Sequence, residues 1–438
     1  MKGQRMLAAV MMTAVLLTGC TSLSLNDPDI LAPPKAGGSR AQVQSMIEKD
    51  AKGSYSLIYP AAGDYKSGII QHDINGDGVE EIAALYCAAD GAPRLLTAVK
   101  KDDKYVLYGS TELNSANVHK LDFADVDSDG TQEIVISFDF ASPLAALQTY
   151  FFNDGISGMT VAEGFTDYTV GDFDDNASAD ILLMNPAADD TAAKASLLVY
   201  SDGGFSEKSS CDIDSDVRSY ADLRFGKISD EMYGAIADGE LENGDYTTQL
   251  LYYDLAAHML VNPLFLNSSY SQSIRSSAVC CMDIDGDDVI EVPQCSLCEH
   301  TKDEDVDTVC SIVRWCDYDP ELMALSFTQS AVLCDRLGFM LQFDAETISA
   351  LTARYTADNA VTLYALSYKG SDPVIGKELL TVKRYAKNSF DSSLTAEAKL
   401  VETTAHTYTY ILNEGSPFSH DDIIDSFLLL GAEEVYSD

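Results

Sequence analysis

Four acidic nonamers carry the residues best suited to chemistry. They read Asp73-Ile-Asn75-Gly-Asp77-Gly78-Val79-Glu80-Glu81, Asp125-Val-Asp127-Ser-Asp129-Gly130-Thr131-Gln132-Glu133, Asp172-Phe-Asp174-Asp-Asn176-Ala177-Ser178-Ala179-Asp180 and Asp283-Ile-Asp285-Gly-Asp287-Asp288-Val289-Ile290-Glu291. Oxygen-bearing side chains fill positions 1, 3, 5 and 9 of every copy, with formal charges of −3, −4, −3 and −4. Ca²⁺ is a hard cation that takes six to eight oxygen ligands. A tight loop aims positions 1, 3, 5 and 9 inward, and the backbone carbonyl of position 7 (Val79, Thr131, Ser178 or Val289) completes the shell. Position 6 turns sharply and favours Gly, as at Gly78 and Gly130; Ala177 and Asp288 depart from that rule. A solvated acidic turn would account for one such loop, but four in the same register point to up to four bound Ca²⁺.

An EF-hand places Glu at position 12 between two helices. Position 12 here is Ala84, Ile136, Leu183 and Gln294. The runs after the first three loops, Ile82–Tyr86, Ile134–Phe138 and Ile181–Met184, are short, apolar and rich in β-branched residues. Such runs are expected as buried strands.

The loops start at 73, 125, 172 and 283, so the gaps are 52, 47 and 111 residues, and the last is close to two repeats. A degenerate copy is therefore expected near 226, where Phe225–Asp230 and Tyr233–Ala237 keep strand character and lose the acids. Aromatic strands recur beside turn residues, as in Tyr105–Tyr108, Tyr150–Phe152 and Leu197–Tyr200. A period near 50 with several strands per unit is the pattern of a propeller blade.

These loops resemble the FG-GAP/VCBS repeats of β-propellers, including the integrin α-chain type, over roughly residues 55–330. The resemblance implies a Ca²⁺ site in each blade that keeps the acidic loop. It also implies a mainly β fold: a propeller of about five blades, with six or seven open if the ends contribute strands, followed by a small α+β domain. The expected organisation is 1–20 leader, 21–45 tether, 46–330 propeller and 331–438 C-terminal domain. After the flexible stretch Thr21–Gly38, Ser39 with Gln42 is expected to open a helix running to about Lys52, with Val43, Met46 and Ile47 on one face. The last segment supplies strand patterns at 338–343, 351–355, 361–366, 379–385 and 402–412. A Ser419-capped helix then carries Ile423, Ile424, Phe427 and Leu428 on one face.

Lys2 and Arg5 precede an apolar run, Met6–Leu17, too short to span a bilayer. The run ends in Leu17-Thr18-Gly19-Cys20, which resembles a bacterial lipobox, and this implies lipid attachment at Cys20 and a place on the outer face of the cell membrane. The whole order of elements resembles secreted VCBS-repeat lipoproteins of Gram-positive anaerobes.

Seven of the ten cysteines fall between 280 and 334. Cys295-x-x-Cys298 with His300, Cys310 and Cys316 has some resemblance to a zinc or redox site, and disulfides or plain buried thiols are the other readings. His72 and His119 precede acidic loops and are expected to support them or to be exposed. Trp315, the only Trp, is expected in a strand core. No GxSxG, HExxH or Gly-rich phosphate loop occurs. Against 70 acids stand 28 Lys and Arg, a net charge of −42, which disfavours nucleic acid and any basic patch for anionic lipid. The expected function is a non-catalytic module that binds an extracellular protein or glycan. The alternative is a surface polysaccharide hydrolase or lyase.

Overall fold

The computed structural model describes residues 39–431, apart from 140–144, 153–154, 189–190, 267–269, 388 and 391–396. Cys20 and the leader lie outside the described residues. Helix α1 (Ser39–Asp50) comes first, and antiparallel strands dominate the described residues after it.

Six sheets of four or five strands succeed one another along the chain. The first holds β1 (Ser56–Leu57), β2 (Ile69–His72), β3 (Glu81–Cys87), β4 (Pro93–Lys101) and β5 (Lys104–Glu112). The second is the meander β6 (Val118–Ala124), β7 (Glu133–Phe138), β8 (Ala145–Phe151) and β9 (Ser157–Phe165). The third repeats it with β10 (Asp167–Gly171), β11 (Asp180–Asn185), β12 (Lys194–Ser201) and β13 (Gly204–Asp212). The fourth holds β14 (Val217–Ser229), β15 (Met232–Leu241), β16 (Tyr246–Asp254) and β17 (Met259–Val261), followed by the one-turn helix α2 (Pro263–Leu266). The fifth begins with β18 (Val292–Leu297), β19 (Ser311–Asp319), β20 (Ala324–Cys334) and β21 (Phe339–Phe343). After the short helix α3 (Ala345–Ser349), the sixth holds β22 (Leu351–Ala357), β23 (Ala360–Lys369), β24 (Asp372–Ala386), β25 (Ala398–Glu402) and β26 (His406–Leu412). Helix α4 (His420–Ser426) then leads to β27 (Phe427–Leu429), which pairs with β21 in the fifth sheet.

The strand patterns are set by layering. Strands β3, β7 and β11 are buried along nearly their whole length, because each is covered on both faces. That is why they read as unbroken apolar runs. Leu85 and Leu95 of the first sheet pack with Leu121, Ile134 and Ile136 of the second. Val135 and Leu147 of the second meet Ile181 and Leu183 of the third. Leu182 and Leu197 meet Leu223 and Leu251 of the fourth, and Ile236 and Leu250 meet Val292 and Tyr318 of the fifth. The fifth joins the sixth through Phe339 and Leu341 against Val361 and Leu380. Each fully buried Leu, Ile or Phe in these layers is worth roughly 1.5–3 kcal/mol.

Three differences from the sequence reading have physical causes. Among the described residues no apolar cluster joins the sixth sheet to the first. Val43 and Ile47 of α1 cover the first sheet's other face instead, over Ile82, Ala84 and Leu96. On the same helix, Gln42 Oε1 accepts the Tyr105 N–H at 3.2 Å. The boundary expected after residue 330 falls inside β20, and the 331–438 segment returns two strands to the fifth sheet. Finally, α4 stops at Ser426. Its Ser419–Asp422 capping box is present and Ile423 is buried, but Ile424 is 53% exposed, and Phe427 and Leu428 belong to a strand.

Candidate metal centres

Each of the first three acidic nonamers joins the first and second strands of a sheet's hairpin. His72 pairs with Glu81, Ala124 with Glu133 and Gly171 with Asp180. The fourth is closed by the bridge Met282–Glu291, which leads into β18. Positions 1–8 therefore form an eight-residue loop, and position 9 is the first residue of the returning strand in the first three and the bridge residue just before β18 in the fourth. At the missing copy, β14 and β15 meet across Ser229–Met232, so Asp230 and Glu231 make a tight two-residue turn with no room for a ligand shell.

Every loop is wound by the same hydrogen bonds. The N–H of position 6 donates to the position 1 carboxylate: Gly78 to Asp73 (2.8 Å), Gly130 to Asp125 (3.0 Å), Ala177 to Asp172 (2.8 Å) and Asp288 to Asp283 (3.0 Å). The N–H of position 7 donates to position 5: Val79 to Asp77, Thr131 to Asp129, Ser178 to Asn176 and Val289 to Asp287, at 2.7–2.8 Å. The N–H of position 2 donates to position 9: Ile74 to Glu81, Val126 to Glu133, Phe173 to Asp180 and Ile284 to Glu291, at 2.9–3.2 Å. Position 6 is left-handed throughout, with φ +81°, +87°, +66° and +70° at Gly78, Gly130, Ala177 and Asp288. The non-glycine residues there carry a cost of roughly 1–2 kcal/mol.

Three loops bring their carboxylate oxygens within 4.8 Å of one another: Asp283, Asp285, Asp287 and Glu291; Asp125, Asp127 and Glu133; Asp172, Asp174 and Asp180. In the first loop, Asn75 instead points its amide nitrogen at Glu81 Oε1 (3.4 Å). Asp129, though part of its loop's backbone network, lies outside its group.

Two observations show that a cation suits these rings. Glu291 Oε1 and Asp174 Oδ1 are buried with no hydrogen-bond partner. The position 9 acids are buried, Glu133 at 1% and Glu291 at 0% exposure. Burial, reinforced by the neighbouring loop acids, pushes Glu133 up to about 8, Asp180 to about 7 and Glu291 to about 7, and raises Glu81. An all-oxygen donor set of this kind selects a hard divalent ion.

Residues outside the nonamers distinguish the sites. Lys208 of β13 places its ammonium against Asp174 in the third loop. Asp317 of β19 adds negative charge near Asp285 and Asp287 at the fourth. The spacing of the nonamers carries no trace of either, because both come from strands that the sheet folds back beside the loop. His72 supports the first loop's hairpin: it stacks on Phe123 (4.0 Å between ring centres), and its Nε2 lies 2.6 Å from Gln132 Oε1. Adjacent loops are also stitched together, Gln132 N–H to Ile74 O (2.7 Å) and Ala179 N–H to Asp125 O (2.8 Å).

A second charged cluster lies on the first strands of sheets two to four. Lys120 Nζ donates to Tyr168 O (2.9 Å) and Leu223 O (3.4 Å). Its charge opposes the burial that raises Asp122, Asp167 and Asp222. Arg224 pairs with Asp222 within β14 at 2.9 Å, and it is Lys120, reaching β10 and β14 from β6, that ties strands together.

The cysteine pattern does not build a zinc site. Residues three apart on a strand face opposite ways. Cys298 accordingly packs with Cys310 in the core shared with the sixth sheet, while Cys295 packs on the other face with Trp315. None of the nine described cysteines is in a disulfide. Trp315 is fully buried in β19, as expected.

The sequence matches no protein-family model, and it matches no curated protein. Among solved structures it is similar to the rhamnogalacturonan lyase PL11 of Bacillus licheniformis, with a TM-score of 0.35, 9% identity, and coverage of 74% of this chain and 77% of that one. It is also similar to BBS1N from a complex with ARL6DN, with a TM-score of 0.31, 8% identity, and coverage of 82% and 96%. Likeness at this level assigns neither a family nor an activity.

Proposed function

We propose that this protein is a calcium-binding, β-propeller-like lipoprotein of the FG-GAP/VCBS type. Cys20 anchors it to the outer face of the cell membrane, where it acts as a non-catalytic module for an extracellular protein or glycan. The observation that carries the reading is the shared winding of the four loops, three of which gather carboxylate oxygens within 4.8 Å. The serial packing of four- and five-stranded sheets supports the propeller-like part. Calcium fits better than magnesium because three of the loops gather a crowded shell of protein oxygens, whereas Mg²⁺ keeps several waters. In this role the ions are structural: each offsets two of a loop's three or four negative charges and holds a hairpin on the rim that a partner would meet. Probing glycan and protein arrays with the protein, with and without chelator, tests the proposal. Calcium-dependent capture of a defined glycan or protein is the expected result. Turnover of a polysaccharide substrate would replace this reading with the hydrolase or lyase alternative.

A further inference from the structure

Three cysteines form a row across neighbouring strands. Register places Ser311 opposite both Leu297 and Leu333, so the next residues, Cys298, Cys310 and Cys334, lie side by side. All three are buried at 1%, 1% and 0% exposure in the one core between the fifth and sixth sheets. The two neighbours of Cys310 are not equivalent. Cys298 N–H donates to Cys310 O at 2.9 Å, so their backbones make a hydrogen-bonded contact. Cys310 N–H turns away to Ala353 O (3.1 Å), which leaves Cys310 and Cys334 as a non-hydrogen-bonded pair. In antiparallel sheets such pairs have Cα atoms about 4.5 Å apart, against about 5.5 Å for hydrogen-bonded ones, and their side chains come closest. Cys310 is also one of the groups that, with burial, raise the Cys334 thiol above its ordinary range.

We propose that Cys310 and Cys334 are a disulfide-forming pair, closed during folding by exchange with a small-molecule disulfide, and that Cys298 stays a thiol. The Cys310 thiolate attacks the small disulfide and releases one thiolate. The Cys334 thiolate then attacks the Cys310 sulfur of the mixed disulfide and releases the second. Two protein thiols are oxidised, one disulfide is reduced to two thiols, and the two protons pass to solvent or to the leaving thiolates. Timing is dictated by burial, which drives the Cys334 thiol well above its ordinary range and Cys298 up to about 12. Once the sixth sheet has packed, the Cys334 thiolate that the second step needs does not form readily, so the bond closes before that packing. Among the other cysteines, Cys295 faces the opposite side of the sheet, Cys316 lies opposite Val292 and Phe327, Cys281 hydrogen-bonds to Asp238 and Thr248, the Cys280 thiol donates to Ala278 O, and Cys87 and Cys211 lie on separate sheets.

The test refolds the full chain in mixed reduced and oxidised glutathione, with a parallel sample in excess dithiothreitol. Thiols are counted under denaturant, and disulfide peptides are mapped by mass spectrometry. Of the nine cysteines besides Cys20, seven should remain reactive in the glutathione sample and nine in the reduced one. The linked peptides should join Cys310 to Cys334. Cys298→Ala should keep the same bond, with six reactive thiols. Nine reactive thiols after glutathione refolding, or a bond mapped to any other pair, would overturn the proposal. If Cys298→Ala fails to fold, the wild-type map decides alone. Because the readout is thiol chemistry, it is independent of whether the loops bind calcium.

Discussion

Lys208→Met should tighten the third loop for calcium while weakening the metal-free protein. The Lys208 ammonium rests on Asp174, whose side chain is 4% exposed, and lies 4.9 Å from the centre of the Tyr253 ring. Burial opposes the Lys208 charge, but the hydrogen bond and charge of Asp174 outweigh it and raise its pKa. A charge-assisted hydrogen bond is worth about 1.5–3 kcal/mol. Lys208 is 30% exposed, and solvent screening brings the figure down to about 1–1.5 kcal/mol. Calcium must displace the ammonium before Asp174 can serve it. Removing that competition should therefore raise the affinity of this site about tenfold, since 1.4 kcal/mol is one decade. Without metal the same change strands Asp174 between Asp172 and Asp180 and should cost about 1 kcal/mol. The mutant should thus melt below wild type in chelator, and the gap should close or reverse in saturating calcium. Calorimetric titration and thermal melts read both effects. An unchanged or weakened low-affinity site, or a mutant more stable than wild type in chelator, would refute the reasoning.

The other predictions address the frame and the anchor. Glu304, hydrogen-bonded to Arg354 at 2.8 Å, is held at about 2 against an ordinary 4.5. Its contribution to stability is full above about pH 4.5 and drains as pH falls toward 2, so Arg354→Met should flatten that acid limb in urea titrations at stepped pH. Lys120→Met should cost about 3 kcal/mol at pH 7 in urea unfolding, because Asp122 and Asp167 lose their shared cation. That cost should shrink in acid as the carboxyls protonate; a cost independent of pH would point to lost packing instead. Cys20→Ala should abolish membrane retention in detergent-free fractionation, and equal retention would sink the anchoring proposal.

Local patterns are legible wherever one residue's neighbours in sequence are also its neighbours in space. The runs Ile82–Tyr86, Ile134–Phe138 and Ile181–Met184 lie in β3, β7 and β11, and the expected degenerate unit near 226 is the β14–β15 hairpin. Loop residues can be read because all ligand positions sit within nine residues. The features that escape sequence reading depend on long-range register. Lys208 reaches Asp174 from 34 residues away, and Lys120 reaches Leu223 across 103. The Cys-x-x-Cys spacing suggests a chelate that strand alternation splits between two faces. The fifth sheet recruits Phe427–Leu429 across an entire intervening sheet, which no composition shift near residue 330 announces.

Calorimetric titration of the metal-free protein with Ca²⁺, paired with thermal melts in calcium and in chelator, tests the central claim most directly. The four loops together carry a formal charge of −14. Sites of this extracellular kind bind with Kd of roughly 10⁻⁴–10⁻³ M, and each adds up to about 2.7 kcal/mol to stability at 100 times its Kd. The account predicts up to four bound ions, one fewer after Asp285→Ala with Asp287→Ala, a melting temperature several degrees lower in chelator, and poor rescue by Mg²⁺. A protein that releases no heat with Ca²⁺ and melts identically in chelator would contradict it.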